Sequence, residues 1–219
     1  MPDSGGPSPG RAWPVSDAAV ASAGLCVFAL FAHTRLPTFL LAAGGLVVAT
    51  LAIQHSMGGR WSAAAMFGLA VPSRKALVVA AAACLLGAGL GVLYRVVTQV
   101  GAAPAALERF AFVAAIIGAA EEIVYRGYVQ GRLRRLGWAA AVALAAAAHT
   151  AYKSALFVFP PEGVAIDLGF IVVWTFVGGV VFGLLREFSD SVLPPVAAHV
   201  CFDLIAYGDR LMAPWWVWS

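Results

Sequence analysis

The chain has 219 residues, of which 62% are hydrophobic and 11% are charged, and its formal net charge is +3. Soluble proteins average about 25% charged residues, so this composition excludes an ordinary soluble domain and indicates an integral membrane protein. The basic residues form no run interleaved with aromatic side chains, and we therefore expect no nucleic-acid partner.

The N-terminal stretch MPDSGGPSPGRAWP is rich in Pro, Gly and Ser, which predicts a disordered tail over residues 1–16. Residues 17–219 are predicted to form one membrane-embedded helical domain, with a motif-bearing core over 104–208. Crossing hydrocarbon takes about 20 residues at ~1.5 Å each. The candidate spans are 17–34, 36–55, 75–98, 104–135, 137–153, 164–186 and 192–208. The predicted fold is all-α, a polytopic membrane bundle of about seven helices (six to eight) around a buried polar site.

The positive charges indicate an orientation in the membrane. They cluster after the second and the fourth candidate spans, at Arg60, Arg74, Lys75, Arg132, Arg134 and Arg135. Because cytoplasmic loops carry an excess of Lys and Arg, both loops and the N-terminus are predicted to be cytoplasmic. The expected location is the plasma membrane of a bacterium, with the lipid bilayer as a partner. Oligomeric state cannot be predicted from these patterns.

Pairs of glycines four residues apart occur in three candidate spans and predict close approach of helices. They are Gly87 and Gly91, Gly127 and Gly131, and Gly179 and Gly183.

The fourth candidate span carries two adjacent acids, Glu121 and Glu122, in the stretch IIGAAEEIVYRGYVQGRL. A charged side chain within a membrane span costs several kcal/mol and normally faces a partner or a wet cavity. Glu122 and Arg126 have the i,i+4 spacing of a helical ion pair, with the acid in the favourable N-terminal position. Glu121 points about a quarter-turn away and has no obvious local partner. Either both acids belong to a structural ion-pair network, or Glu121 has a functional role.

Two later spans add histidines: LAAAAHTAYK contains His149, and PPVAAHVCFD contains His199 with Asp203 on the same helical face. A single histidine on an Ala-rich helix is more often a helix-packing donor than a catalyst. Two such histidines, an i,i+4 acid and an unpaired Glu121 favour a shared polar site in the bundle core instead.

These residues resemble the three motifs of the CPBP family, the CAAX proteases and bacteriocin-processing enzymes that are also called Abi proteins. The resemblance covers about 121–203: Glu121-Glu122-x-x-x-Arg126, then His149, then His199-x-x-x-Asp203. The family usually has an aromatic residue four positions before the second-motif histidine, whereas this chain has Ala145. Its third motif accepts Asn or Asp, and Asp203 is within that range.

The resemblance implies a hydrolase, an intramembrane endopeptidase that acts on membrane-associated protein or peptide substrates. In it, Glu121 paired with His149 activates water, and His199 with residue 203 holds the developing oxyanion. Glu122 and Arg126 then correspond to positions that orient the site. An ionised Asp203 cannot donate a hydrogen bond, so it must be protonated or must orient His199 as an acceptor.

Three alternatives stay open at this point. Glu121, His149, His199 and Asp203 are also ordinary Zn²⁺ ligands, although the chain shows no local two-ligand metal spacing with His. By analogy with the family that it resembles, we predict no cofactor, with Zn²⁺ as the alternative. A non-enzymatic immunity or scaffold protein could share the fold. An ion-coupled transporter would also bury such groups, but the chain shows no internal repeat. The substrate, its prenylation and its cleavage site cannot be predicted from the sequence.

Overall fold

The structure, a computed structural model, describes residues 14–31, 71–160 and 165–210, and all regular structure in these ranges is helical. The helices in chain order are α1 (Pro14–Phe31), α2 (Arg74–Val97), α3 (Arg109–Glu122), a π-helical segment (Ile123–Val129), α4 (Gln130–Leu133), a 3₁₀ turn (Arg134–Leu136), α5 (Trp138–Leu156), α6 (Leu168–Ser189) and α7 (Leu193–Ala206). This architecture is consistent with the predicted helical membrane bundle.

The helices lie close to six of the candidate spans, and their ends differ from the predicted ones by a few residues. The candidate span 36–55 and most of the predicted tail lie outside the described residues. Two described helices, α2 and α6, are long and apolar enough to cross a membrane, while α1 and α7 are apolar but shorter. The number of spans, seven in the prediction, and the single-domain boundary at residue 17 therefore stay predictions.

The long fourth candidate span is a continuous helical run whose hydrogen-bonding pattern changes along its length. It is α-helical up to Glu122, widens into the π-helical segment, and tightens into the 3₁₀ turn at Arg134–Leu136. Gly137 then reverses the chain into α5 with φ of 95°, a conformation that strains residues with a side chain. The chain therefore turns back at the bundle surface after this helical run.

Glycines set the distance between two pairs of helices, as the sequence predicted. A side chain at Gly87 would collide with the backbone carbonyl of Ala198, so α2 and α7 are in backbone contact there. Gly91 continues this contact near Ile205. On the other side of the bundle, a Cβ atom at Gly183 would lie 2.9 Å from the Val142 side chain of α5. These contacts bring the helices that carry His149 and His199 close to their neighbours.

The bundle has two ends with different charge. At one end, called the basic end here, α2 and α5 begin, α6 ends, and Arg134 pairs with Glu187 and Asp190. The N-terminal part of α1 lies at the same end, because Arg132 contacts Asp17 at 2.8 Å. At the opposite end α2 and α7 finish and α3 and α6 begin.

Large apolar side chains cover the outer surface between the two ends. Leu85 is 77% exposed, Ile116 70% and Val173 64%. Such a surface would be unfavourable in water, and it is the surface expected of helices that contact lipid.

Candidate active site

The two adjacent acids are the last residues of α3, at the point where the helix widens into the π-helical segment. Both Glu121 and Glu122 are buried, and Arg126 in the next turn is fully buried as well. Single π-helical turns within α-helices are often found at functional sites. The i,i+4 spacing in the sequence suggested an ordinary α-helix here and did not predict this change.

Glu122 is held by two partners from different parts of the chain. Its Oε2 lies 3.2 Å from Nε of Arg126, which is the ion pair expected from their spacing. Its Oε1 accepts a hydrogen bond from Nδ1 of His199 at 2.8 Å. Glu122 thus connects the first motif to α7, and it orients the imidazole of His199.

Glu121 also has two partners, both on α5. Its Oε2 lies 3.2 Å from Nε2 of His149, and its Oε1 lies 2.6 Å from Nζ of Lys153. The sequence had suggested no local partner for Glu121, and the partners are indeed distant in the chain. Lys153 was not among the predicted site residues, although it follows His149 by four positions and so shares its helical face.

The contacts of His149 determine which ring nitrogen carries hydrogen in the neutral form. Nη1 of Arg126 lies 3.0 Å from His149 Nδ1, and a guanidinium group can only donate hydrogen bonds. Nδ1 must therefore accept, and the hydrogen of the neutral ring is on Nε2, directed at Glu121. Arg126 consequently orients both Glu122 and His149.

The contacts of His199 lead to a different arrangement. Because Nδ1 donates to Glu122, Nε2 faces Glu121 Oε2 at 3.9 Å and Asp203 Oδ2 at 3.8 Å. Both distances are too long for a direct hydrogen bond. The role of Asp203 as the acceptor that orients His199 is thus not the contact seen, since Glu122 occupies that position.

Two small residues and one aromatic ring complete the packing of the site. A Cβ atom at Gly118 would collide with the carboxylate of Asp203 and the ring of His199, so this glycine lets α7 approach α3. Tyr125 stacks on His149, with ring centroids 4.5 Å apart. Ala145, where the family usually has an aromatic residue, is buried in the same apolar cluster as Tyr125. The ring next to His149 therefore comes from the π-helical segment.

A cavity of about 600 Å³ opens at this cluster. Glu121, His149, Lys153, His199 and Asp203 all line it, and most of its remaining wall is apolar or aromatic. The site residues predicted from the sequence are thus brought together, with Glu122 behind them. A mostly apolar cavity with a few convergent polar groups is the usual form of a small binding or active site.

The same residues can be tested as a Zn²⁺ site. Over residues 14–31, 71–160 and 165–210, no three or more His, Cys, Asp or Glu side chains are grouped so that they could hold a metal ion. The hydrogen of His149 is on Nε2, the nitrogen that would have to bind the ion, and the ammonium group of Lys153 contacts Glu121. This arrangement of donors does not fit a divalent cation.

Comparison with known proteins identifies the family. Residues 103–205 match the family model described as type II CAAX prenyl endopeptidase, Rce1-like, and this segment contains all the site residues discussed above. No curated protein and no solved structure matches the chain. The match indicates, as a general kind of function, a CAAX-type intramembrane protease. The resemblance seen in the motifs is therefore confirmed, and residues 103–205 form an Rce1-like domain of the CPBP family.

Proposed function

We propose that the protein is an intramembrane endopeptidase in which Glu121 is the general base. The observation that carries this proposal is the position of the Glu121 carboxylate. It is buried, it lines an apolar cavity, and it is held by His149 on one oxygen and by Lys153 on the other. The contact with Lys153 keeps this carboxylate ionised, and the apolar cavity shields it from bulk water, so it is able to accept a proton from a water molecule bound beside it.

In the proposed reaction, water attacks the carbonyl carbon of a substrate peptide bond while Glu121 takes one of its protons. A carbon–oxygen bond forms, and the carbonyl oxygen becomes an oxyanion. The carbon–nitrogen bond then breaks as the proton on Glu121 passes to the leaving nitrogen. The products are a carboxylic acid and an amine, and no further reactant is needed.

The oxyanion requires hydrogen-bond donors, and preorganised donors contribute about 3–4 kcal/mol each to transition-state stabilisation. We assign this role to His199 and Asp203. Both side chains line the cavity, and His199 Nε2 lies 3.8 Å from Asp203 Oδ2. Since Nδ1 of His199 already donates to Glu122, Nε2 can donate only when the ring is doubly protonated. Asp203 can donate only as the protonated acid. Glu122 and Arg126 position the other groups.

The alternatives are a non-enzymatic scaffold and a transporter. Neither role requires Glu121 to keep specific contacts with His149 and Lys153 beside a cavity large enough for a peptide segment. Metal-independent hydrolysis is part of the proposal, because the donors do not fit Zn²⁺.

The test is the Glu121→Gln variant, which removes the base and changes the volume little. Membrane proteins from cells that contain wild type or variant are compared by mass spectrometry. We expect cleavage products that depend on wild type and disappear in Glu121→Gln, a loss of about 10²-fold or more, while thermal unfolding in detergent changes little. Glu108→Gln, at the start of α3 and outside the cavity, is the matched control and should retain full activity.

Identical products from wild type and Glu121→Gln would contradict the proposed function. Loss of activity on treatment of wild type with a chelator would contradict the metal-independent mechanism.

A further inference from the structure

Gln130 is a buried polar residue that has no part in the proposed reaction as described so far. It begins α4 directly after the π-helical segment, and it is fully buried although it is not among the described residues that line the cavity. A buried amide in a membrane bundle usually serves helix packing. The contacts of Gln130 indicate a more specific role, and this inference rests on the proposed function.

The side-chain amide of Gln130 is anchored on α6. Its Nε2 donates to the backbone carbonyl of Gly183 at 3.0 Å and to Oε1 of Glu187 at 2.8 Å. Both partners are acceptors, so both hydrogens of the amide are used. Its Oε1 is buried without a hydrogen-bond partner in the described ranges. An apolar side chain of similar size would fill this space without an unpaired oxygen, but it would not fix the position of the helical run along α6.

The backbone of the same residue closes the π-helical segment. The N–H group of Gln130 donates to the carbonyl of Tyr125, five residues earlier, and to that of Gly127. A hydrogen bond to the fifth preceding residue is the π-helical pattern, which is rare and mostly limited to a single turn. Because the side chain of Gln130 is bound to α6, this last π-helical turn is tied to α6 as well.

The π-helical segment carries the two side chains that orient His149. Tyr125 stacks on the imidazole ring, with ring centroids 4.5 Å apart. Nη1 of Arg126 donates to Nδ1 of His149 at 3.0 Å and so directs the hydrogen of the neutral ring, on Nε2, at Glu121. A shift of this segment would therefore change the orientation of His149.

Arg126 and Gln130 lie against the same helix, one turn apart. A Cβ atom at Gly179 would lie 3.2 Å from Nη2 of Arg126, and one at Gly183 would lie 3.1 Å from Oε1 of Gln130. Arg126 packs on α6 without a hydrogen bond to it in the described part of the chain, where Nε and Nη2 have no hydrogen-bond partner. The position of Arg126 along α6 thus depends on the hydrogen bonds of Gln130.

We propose that Gln130 is a positioning residue of the proposed reaction. Its hydrogen bonds to α6 hold the π-helical segment at the position where Arg126 directs Nε2–H of His149 at Glu121. When these bonds are lost, the segment shifts, and the neutral ring of His149 carries its hydrogen on either nitrogen. Misplacing a reacting group by about 1 Å costs up to about 10²-fold in rate.

The first measurement is kinetic and uses a substrate found by the mass-spectrometric comparison of wild type and Glu121→Gln. Gln130→Met keeps the length of the side chain and removes the amide. We expect kcat per folded protein to fall by about 10-fold or more with KM within about twofold, since Gln130 does not touch the substrate. Thr150→Val is the matched control. It removes a buried hydroxyl that donates to Ala146 of its own helix, and kcat should stay within about twofold.

Two substitutions of Glu187 separate the anchoring of Gln130 from the ion pair at the basic end. Both Glu187→Gln and Glu187→Ala remove the charge that pairs with Arg134, but only glutamine keeps an oxygen that accepts from Nε2 of Gln130. We expect kcat within about twofold of wild type for Glu187→Gln and a loss of about fivefold or more for Glu187→Ala. If Gln130→Met does not fold, this pair decides between the two outcomes.

The second measurement reports the tautomer of His149 and needs no substrate. The protein is labelled with ¹⁵N at histidine, and the resonances of the ring nitrogens are recorded in detergent, because they distinguish the two neutral tautomers. The signals of His149 are assigned by their loss in His149→Gln. We expect wild type and Thr150→Val to show one tautomer, with hydrogen on Nε2, and Gln130→Met to show both.

A merely structural role for Gln130 would give a different pattern. Gln130→Met would then unfold at a lower temperature and keep wild-type kcat and the single tautomer of His149, and this result would overturn the proposal. Equal kcat for Glu187→Gln and Glu187→Ala would also overturn it. So would a rise in KM at unchanged kcat in Gln130→Met, which would assign the residue to substrate binding.

Failure of the proposed function has its own signature. Cleavage that persists in Glu121→Gln would contradict the proposed base, whatever the state of His149. A single tautomer of His149 in Gln130→Met would contradict the anchoring role of Gln130, even when cleavage is lost in Glu121→Gln.

Discussion

Two neighbouring carboxylates have separate environments in this site. Glu121 contacts His149 and Lys153 of α5, whereas Glu122 contacts Arg126 of its own helical run and His199 of α7. Successive residues of a helix point about 100° apart, so adjacent acids face different neighbouring helices. The arrangement leaves Glu121 facing the cavity, as its proposed role as base requires, and Glu122 behind it, as its proposed positioning role requires.

Lys153 is expected to position Glu121 for attack. Replacing it by Met keeps the length of the side chain and removes the ammonium group that contacts Oε1. We expect Lys153→Met to lower kcat by about 10²-fold with little change in KM, because a small displacement of a reacting group is costly. The kinetic constants are measured with a substrate found by the mass-spectrometric comparison of wild type and Glu121→Gln.

The conservative variant and a surface control complete this experiment. Lys153→Arg retains the positive charge and should recover part of the lost kcat. Lys75→Met removes a lysine that lies over the ring of Phe188 at the basic end, and it should leave both constants unchanged. Equal kcat for wild type and Lys153→Met would show that the ion pair has no part in catalysis.

At the scale of elements, the contact between α2 and α7 positions the third motif. Gly87 and Gly91 allow α7 to lie directly on α2, and α7 carries His199 and Asp203 towards α3. Gly118 permits the matching approach on the α3 side. The positions of His199 and Asp203 therefore depend on small residues that have no part in the proposed reaction.

A side chain at Gly87 should separate these helices. Its Cβ atom would meet the backbone carbonyl of Ala198, which cannot move aside without shifting α7. We expect Gly87→Ala to reduce the free energy of unfolding by about 1–3 kcal/mol, the range found for overpacking. Thermal unfolding in detergent measures the change.

Gly89 provides the matched control on the same helix, since within the described ranges no atom from outside its own stretch of helix lies within 4 Å of its added Cβ. Gly89→Ala should be neutral or stabilise by up to ~1 kcal/mol, because alanine is the better helix former. Similar thermal stability of the two variants would contradict the close contact between α2 and α7.

At the scale of the whole molecule, one arginine connects the end of α2 with the residues that follow α7. Arg95 at the end of α2 is buried, and it forms hydrogen bonds with both carboxylate oxygens of Asp209 after α7, at 2.9 and 2.8 Å. It also donates to backbone carbonyls between α2 and α3, including those of Val100 and Gly101. This group fixes the loops that follow α2 and α7, next to Thr98 and Tyr207 in the wall of the cavity.

The pH dependence of stability follows from this contact. The hydrogen bond from Arg95 lowers the pKa of the Asp209 carboxyl below its usual value near 3.8. Because the pKa of Asp209 is lowered in the folded state, its ionised carboxylate contributes fully to the free energy of unfolding above about pH 4. It is lost as the pH falls through the folded-state pKa.

We expect Asp209→Asn to lower the unfolding free energy at pH 7 by about 1 kcal/mol, since the amide keeps one acceptor and solvent screens the partly exposed carboxylate. Thermal unfolding in detergent is measured from pH 7 to pH 3. The unfolding temperatures of wild type and variant should converge as the pH falls. A difference that is constant with pH would contradict the role of the Asp209 charge.

The sequence by itself determined the membrane class, the approximate positions of six helices and the residues of the three motifs. These features depend on composition and on local spacing. An apolar run of about 20 residues indicates a helix in lipid wherever it packs, and Glu122 and Arg126 meet because they are one helical turn apart. The contacts at Gly87 and Gly183 were predictable for the same reason, since only small residues permit such close approach.

Only the tertiary structure decided how these residues meet. The pairing of Glu121 with Lys153, the contact of His199 with Glu122 rather than Asp203, and the stacking of Tyr125 on His149 all join different helices. They depend on how far each helix is rotated and shifted along its neighbours, and helical periodicity within one span contains no information about either quantity.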